Sequence, residues 1–461
     1  MSRRAQFAAV LAALALPFAA HAQDFAIVHA TLAIGDGGAP IPDGTVVVRG
    51  GKIVAAGPAA SGPPVIDGPV VDGVVVKEPR PFVASNIVTV PVGVEVIDGT
   101  GKWVTPGLFS AVTDLGLWDV EAVSESNDTE ADGSPFNAAL DVTPALNPAS
   151  QHIAISRAGG VTRASVAAFN GNSIFAGQGA VIDLADDAAL VMKPRAFQFV
   201  ELGEAGARLA GGSRVAAHVA LRNALREAKE LAALPAGSAR QSDAMLTRPD
   251  AMALAKVLDG SEPLYVGVER AADIRAVLAL KSEFPKLNLV LVGAAEGWLV
   301  APEIAAAHVP VITMPLRDLP AEFEMLAATQ SNVGRMKKAG VKVAIGMFTG
   351  GNQPRYAAQQ AGNLVALTRL PGAAGLTWGE AFAAISSVPA EISGFAGKAG
   401  VLAPGAVGDV VLWDGDPLEL SSVPQDVWID GVKQPLENHQ TRLRDRYKDL
   451  DRTYLPKAYD W

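Results

Sequence analysis

Two β-rich ends enclose a long middle in which apolar β runs alternate with amphipathic helices, and this limits the architectures open to the chain. Between about residues 106 and 393 the clearest runs are Val161 to Ala168, Leu264 to Val268, Leu287 to Val292, Val309 to Thr313 and Val341 to Ile345. Most are rich in Val, Ile and Leu with little polar alternation, the texture of parallel strands buried on both faces. Between them, Ser213 to Ala232 sets Leu221, Leu225, Ala228 and Ala232 at helical spacing, and Ala271 to Phe284 carries Ile274, Val277 and Leu278. Pro302 sits where a first helical turn tolerates proline. Repeated βα units of this length predict an α/β chain with a (β/α)8 TIM barrel.

The flanks read differently. Thr45 to Arg49 and Lys52 to Ala56 surround Gly50-Gly51, a hairpin signal, and Val94 to Asp98 alternates in the manner of a strand. Residues 58–88, rich in Pro, Gly and Val, read as an inserted β excursion or loop. Gly408 to Trp413 and Asp426 to Gly431 return to β texture, and Gln440 to Leu450 is expected as a surface helix within a terminal segment, 436–461.

Residues 1–22 are expected to be a cleaved export signal. Arg3 and Arg4 precede an apolar stretch from Phe7 to Ala20, too short to span a bilayer comfortably, and Ala20-His21-Ala22 is a small-x-small cleavage pattern. No later run is apolar over a spanning length, so the periplasm of a Gram-negative bacterium is the expected location. The formal charge of −10 becomes −12 without the leader's two arginines, which argues against nucleic acid as a partner. The chain has no cysteine, which removes disulfides and thiolate metal sites, and 49% apolar residues supply a large core.

Pro106 to Gly116 reads PGLFSAVTDLG. It resembles the first barrel strand of the amidohydrolase superfamily, typically PGLIDAHTHLG. Three further stretches, NPASQHIAISRAGGVTR (147–163), IFAGQGAVIDL (174–184) and LAPGAVGDVVLWDGDPLE (402–419), together with GKWVTPGL (101–108), resemble the imidazolonepropionase-like branch of that superfamily. The resemblance implies a barrel over 106–393 and a small β-sandwich composed of 23–105 and 394–435. It also implies a catalytic metal held at the C-terminal ends of the strands, where barrel enzymes keep their chemistry. Carried over position by position, the two first-strand histidines fall at Val112 and Asp114, and the fourth-strand lysine at Phe199. The fifth- and sixth-strand histidines fall at Gly267 and Gly293, and the eighth-strand aspartate at Phe348. One carboxylate cannot replace several convergent donors, so no metal and no cofactor are expected.

No other metal or nucleophile motif takes their place. His29, His152, His218, His308 and His439 are scattered, none at the C-terminal end of an expected barrel strand. The acidic loop Asp119, Glu121, Glu125, Asp128, Glu130 and Asp132 imitates the start of a calcium loop, but Ala139 stands where a bidentate glutamate is needed. Phe348-Thr349-Gly350-Gly351-Asn352 is expected to cross the barrel mouth. These readings predict an exported binding or partner subunit that takes a small molecule or a related amidohydrolase subunit, with self-association left open. Asp114, Glu269, Arg270 and Phe348 are the expected ligand-binding residues. The alternatives are an active hydrolase of non-peptide C–N bonds using Asp114, and a structural subunit supporting a complete relative.

Overall fold

The computed structural model describes residues 22–448 apart from 60–64, 72–73, 80–86, 121, 236, 240–241 and 351–352, with 65–71 and 74–79 described as backbone alone. The expected leader up to its last residue, and the tail after 448, lie outside the described residues. In chain order the strands are β1 (Phe25–Leu32), β2 (Ile41–Arg49), β3 (Lys52–Pro58), β4 (Val65–Val71), β5 (Val74–Pro79), β6 (Glu95–Asp98) and β7 (Trp103–Pro106). Next come β8 (Leu108–Thr113), β9 (Val161–Val166), β10 (Phe175–Asp183), β11 (Val191–Glu201), β12 (Leu264–Val268), β13 (Leu289–Gly293), β14 (Val311–Thr313) and β15 (Val343–Ile345). The chain closes with β16 (Val410–Trp413), β17 (Pro424–Ile429) and β18 (Val432–Lys433).

Both chain ends share one sheet, ordered β18-β17-β16-β7-β1-β2-β3 with β6 also paired to β1. The β2–β3 turn uses Gly50 and Gly51 at φ 54° and 73°, the left-handed geometry that a tight hairpin demands. The expected sandwich takes the form of this single sheet curling on itself. Ile53 N–H donates to the Ala406 carbonyl at 2.9 Å, and Phe25 stacks on Trp428 at 4.7 Å inside the curl. Strands β4 and β5 pair with each other as a separate hairpin.

Strands β8 to β15 form the second eight-stranded sheet in sequence order. It is nearly closed by a parallel bridge between Ala111 and Gly346, with Met347 N–H donating to the Ala111 carbonyl at 2.9 Å. The expected all-parallel (β/α)8 pattern needs one correction, because β10 runs antiparallel to both β9 and β11. A parallel crossover takes about a dozen residues or more. The connections 167–174 and 184–190 are shorter than that and contain no helix, so the third strand must turn back.

The helix Arg214–Ala233 buries Ala217, Leu221, Ala224, Leu225 and Ala228, while Ala232 is exposed. The helix expected over 271–284 divides into Ala271–Leu278 and Leu280–Glu283. One apolar cluster fills the space between strands and helices. A second fills the lumen, where Phe197 stacks on Tyr265 at 4.1 Å, so the barrel is packed below its mouth. Among the described residues no helix is long and apolar enough to cross a membrane.

Candidate functional site

The lumen opens at the C-terminal ends of the strands into a cavity of about 390 Å³. Its walls include Val112, Phe199, Val292 and Met347, and its charged lining residues are Glu201, Arg208 and Arg317. Backbone strain collects around this end. Val112, Ala294 and Met347 hold φ of 56°, 50° and 63° at or just beyond the ends of β8, β13 and β15. For a β-branched residue that conformation costs on the order of 1–3 kcal/mol. At Val112 it accompanies a register shift in the β8–β9 pairing, where Val112 N–H turns to the Ser165 hydroxyl at 2.9 Å. Such irregularities re-aim side chains beside functional sites.

Val112 and Phe199, at two of the substituted ligand positions, line the cavity, whereas none of the four expected ligand-binding residues, Asp114, Glu269, Arg270 and Phe348, does. Asp114 is buried: its Oδ2 accepts from Gly350 N–H at 2.8 Å, while Oδ1 is buried without a partner among the described residues. Arg270 does not line the cavity either. Its guanidinium grips Asp273 at 2.7 and 3.1 Å, beside the start of the helix Ala271–Leu278. Phe348 is fully buried in the layer between strands and helices, not in the mouth. The left-handed turn at Met347 explains this, since it sends Met347 to the cavity and the next side chain outward.

The glycines on β12 and β13 are the most informative positions. A Cβ built on Gly267 would collide with Oε2 of Glu201, and one on Gly293 would lie 2.5 Å from Oε1 of Glu269. Two glutamates therefore fill the space beside these strand ends. Glu269 accepts from Ala295 N–H at 2.8 Å and from Arg317 at 3.3 Å. Burial pushes its carboxyl up to about 7, against the pull of Ala295 and Arg317. Burial pushes Glu201 up to about 8, reinforced by the charges of Glu269, Glu324 and Glu322 and opposed by Arg208. Sequence reading missed Glu201, Arg208 and Arg317. The one signal for Glu201 was its place two residues after Phe199, on the same face of β11.

Divalent metal fits this mouth poorly. Val112 and Phe199 offer no donor, which leaves Glu201 as the single carboxylate among the lining residues. Among the described residues only Glu204, Glu322 and Glu324 bring three ligand atoms within 4.8 Å of one another. Glu324 there already accepts from Glu204 N–H at 2.6 Å and Arg214 at 3.0 Å.

Residues 272–438 match the amidohydrolase family. The chain resembles an amidohydrolase from Thermotoga maritima MSB8 with a TM-score of 0.71 and 22% identity, over 89% of this chain and 99% of that one. The chain shares the fold of that protein. The structure of molinate hydrolase is similar at a TM-score of 0.50 and 14% identity, covering 95% of this chain and 98% of that one. Amidohydrolase tasK of Hapsidospora irregularis is 38% identical over 60 residues, which is 13% of this chain and 6% of that protein. The chain thus spans a small part of that relative's length. The cavity lies at the C-terminal ends of the strands, the end at which barrel enzymes in general carry their chemistry.

Proposed function

We propose that this is an exported protein of amidohydrolase fold, of the imidazolonepropionase-like branch, that binds a small molecule in its barrel mouth and does not perform metal-dependent C–N hydrolysis. One observation carries the reading: among the residues that line the cavity Glu201 is the single carboxylate, and Val112 and Phe199 stand at two of the positions where the resembling enzymes place metal ligands. Without converging donors nothing lowers the pKa of a water towards neutrality. A concave, mostly apolar mouth with a few polar groups suits a small ligand or a partner's side chain. Export rests on the basic start, short apolar stretch and Ala20-His21-Ala22 pattern of the leader.

The test is elemental analysis of the mature protein after expression with added zinc, manganese or nickel. The expected result is no stoichiometric metal after dialysis, and a stoichiometric ion that survives dialysis would overturn the reading. A second reading is favoured by the two raised carboxyls, since buried acids that titrate near neutrality are suited to proton transfer. In it, Glu201, which lines the cavity, exchanges the protons in metal-free hydrolysis of an amide or cyclic amide, taking one from the attacking water and giving one to the leaving nitrogen. Turnover of N-acyl amino acids or cyclic amides in the presence of chelator, abolished by Glu201→Gln, would establish it.

A further inference from the structure

We propose that the mouth cavity is a receptor for an amphipathic monocarboxylate, with Arg208 and Arg317 receiving the carboxylate and the apolar walls receiving an aryl or branched-alkyl body. This rests on the reading of the mouth as a binding site. Most arginines of the barrel are already engaged: Arg163 holds Asp409 at 2.7 and 2.9 Å, and Arg214 holds Asp273 at 2.9 Å and Glu324 at 3.0 Å. The two arginines of the cavity are engaged only loosely. Arg208 approaches Glu204 and Glu322 no closer than 3.8 and 3.9 Å, and Arg317 makes a single 3.3 Å contact with Glu269. A guanidinium has five N–H donors in a planar fork, so both keep donors for a bidentate anion.

The third charged lining residue favours the same ligand. Glu201 in its protonated form donates a hydrogen bond to a carboxylate oxygen and adds no opposing charge. The carboxylates that would attract a cation instead, Glu204, Glu322 and Glu324, do not line the cavity, and Glu324 is taken by Arg214. An amine in the cavity would face two guanidiniums and one carboxyl among the charged lining residues. Val112, Phe199, Val292, Met314 and Met347 leave an apolar chamber of about 390 Å³, within the range of small-ligand pockets.

Calorimetric titration of the mature protein with 3-phenylpropionate, 3-phenylpropanol and 3-phenylpropylamine tests the idea, because the three share a body and differ in the head. The carboxylate is expected to bind at least about tenfold more tightly than the alcohol, and the amine not to bind. Arg208→Met and Arg317→Met should each weaken the carboxylate by roughly tenfold. Both side chains are exposed at 61% and 45%, so the folded state should survive, as thermal unfolding of the variants would record. Affinity of the wild type should fall as pH rises through the ionisation of Glu201, and Glu201→Gln should flatten that profile. Equal binding of the alcohol, preference for the amine, no binding of any probe, or indifference to both arginine variants would each overturn the inference. Metal content of the same sample keeps the two ideas apart. Metal-free protein that ignores the carboxylate refutes this inference alone, whereas bound metal with hydrolytic turnover refutes the non-catalytic reading whatever the probes do.

Discussion

Two clusters of buried charge, one at each end of the barrel, are handled in opposite ways. Beside the terminal sheet, Arg163 of β9 grips Asp409 at 2.7 and 2.9 Å and reaches Asp430 at 2.9 Å, while Asp409 also accepts from Asp430 N–H at 3.0 Å. Burial opposes the charge on Arg163, but the two aspartates more than offset it and hold the guanidinium firmly ionised. At the mouth, Glu201 and Glu269 are largely buried with little cationic support, and burial drives both towards the neutral form. A paired cluster joins two parts of a scaffold and resists change. Carboxyls left underpaired beside a cavity raise the cost of the folded state, which is the pattern of a site kept for binding or proton exchange.

The contrast is most directly broken at the paired end. Asp409→Ala leaves Arg163 buried without its main partner and should cost about 3–5 kcal/mol in denaturant unfolding. A change below about 1 kcal/mol would show that the clamp is not structural. Phe348→Ala should cost a similar ~3–5 kcal/mol as a core truncation, with no effect on any ligand bound at the mouth. Loss of ligand binding at unchanged stability would instead return Phe348 to the site.

Smaller effects sharpen the comparison at the mouth. Gly267→Ala should cost roughly 1–3 kcal/mol by overpacking against Glu201, and most of that cost should vanish in the Glu201→Ala background, a coupling read from a double-mutant cycle. Additive effects would mean that Glu201 does not occupy the space beside Gly267. The pH dependence has a definite sign. Glu201 and Glu269 titrate near 8 and 7 in the folded protein against an ordinary 4.5, so folding holds protons that unfolding releases. Their contribution is complete below about pH 4.5 and is lost as pH rises through about 7 to 8. Stability should therefore fall across that window, and Glu201→Gln should reduce the slope in urea titrations. Val112→His with Asp114→His should have the least effect, leaving metal binding undetectable in elemental analysis, because the glycine positions on β12 and β13 still supply no donor.

Much of the scaffold was legible in the sequence. Gly50-Gly51 between two Val-rich runs specifies the β2–β3 hairpin through backbone geometry that glycine adopts without strain. The runs that became β12 to β15 carry their burial in composition, and the helix Arg214–Ala233 carries its buried face in its spacing. The absence of histidine from the first, fifth and sixth strand ends is likewise a property of the chain alone. Strand direction was not legible at β10, since an apolar run reads alike both ways and only the short connections on either side decide it.

The site depended on facts that no local pattern contains. Glu201 and Arg208 are near neighbours, on β11 and the helix Gly203–Leu209 that follows it, but Arg317, in the loop after β14, joins them around one cavity only because the sheet closes into a barrel. Strand alternation, the rule that assigns side chains to a face, fails where the backbone turns left-handed. At Met347 that turn buries Phe348 away from the mouth, and at Val112 it accompanies the shift in register with β9. The sequence by itself determined which chemical groups exist and most of the elements that carry them. The tertiary structure decided which of those groups face one another, because convergence and burial are properties of chain closure, and they set the charge that each group bears.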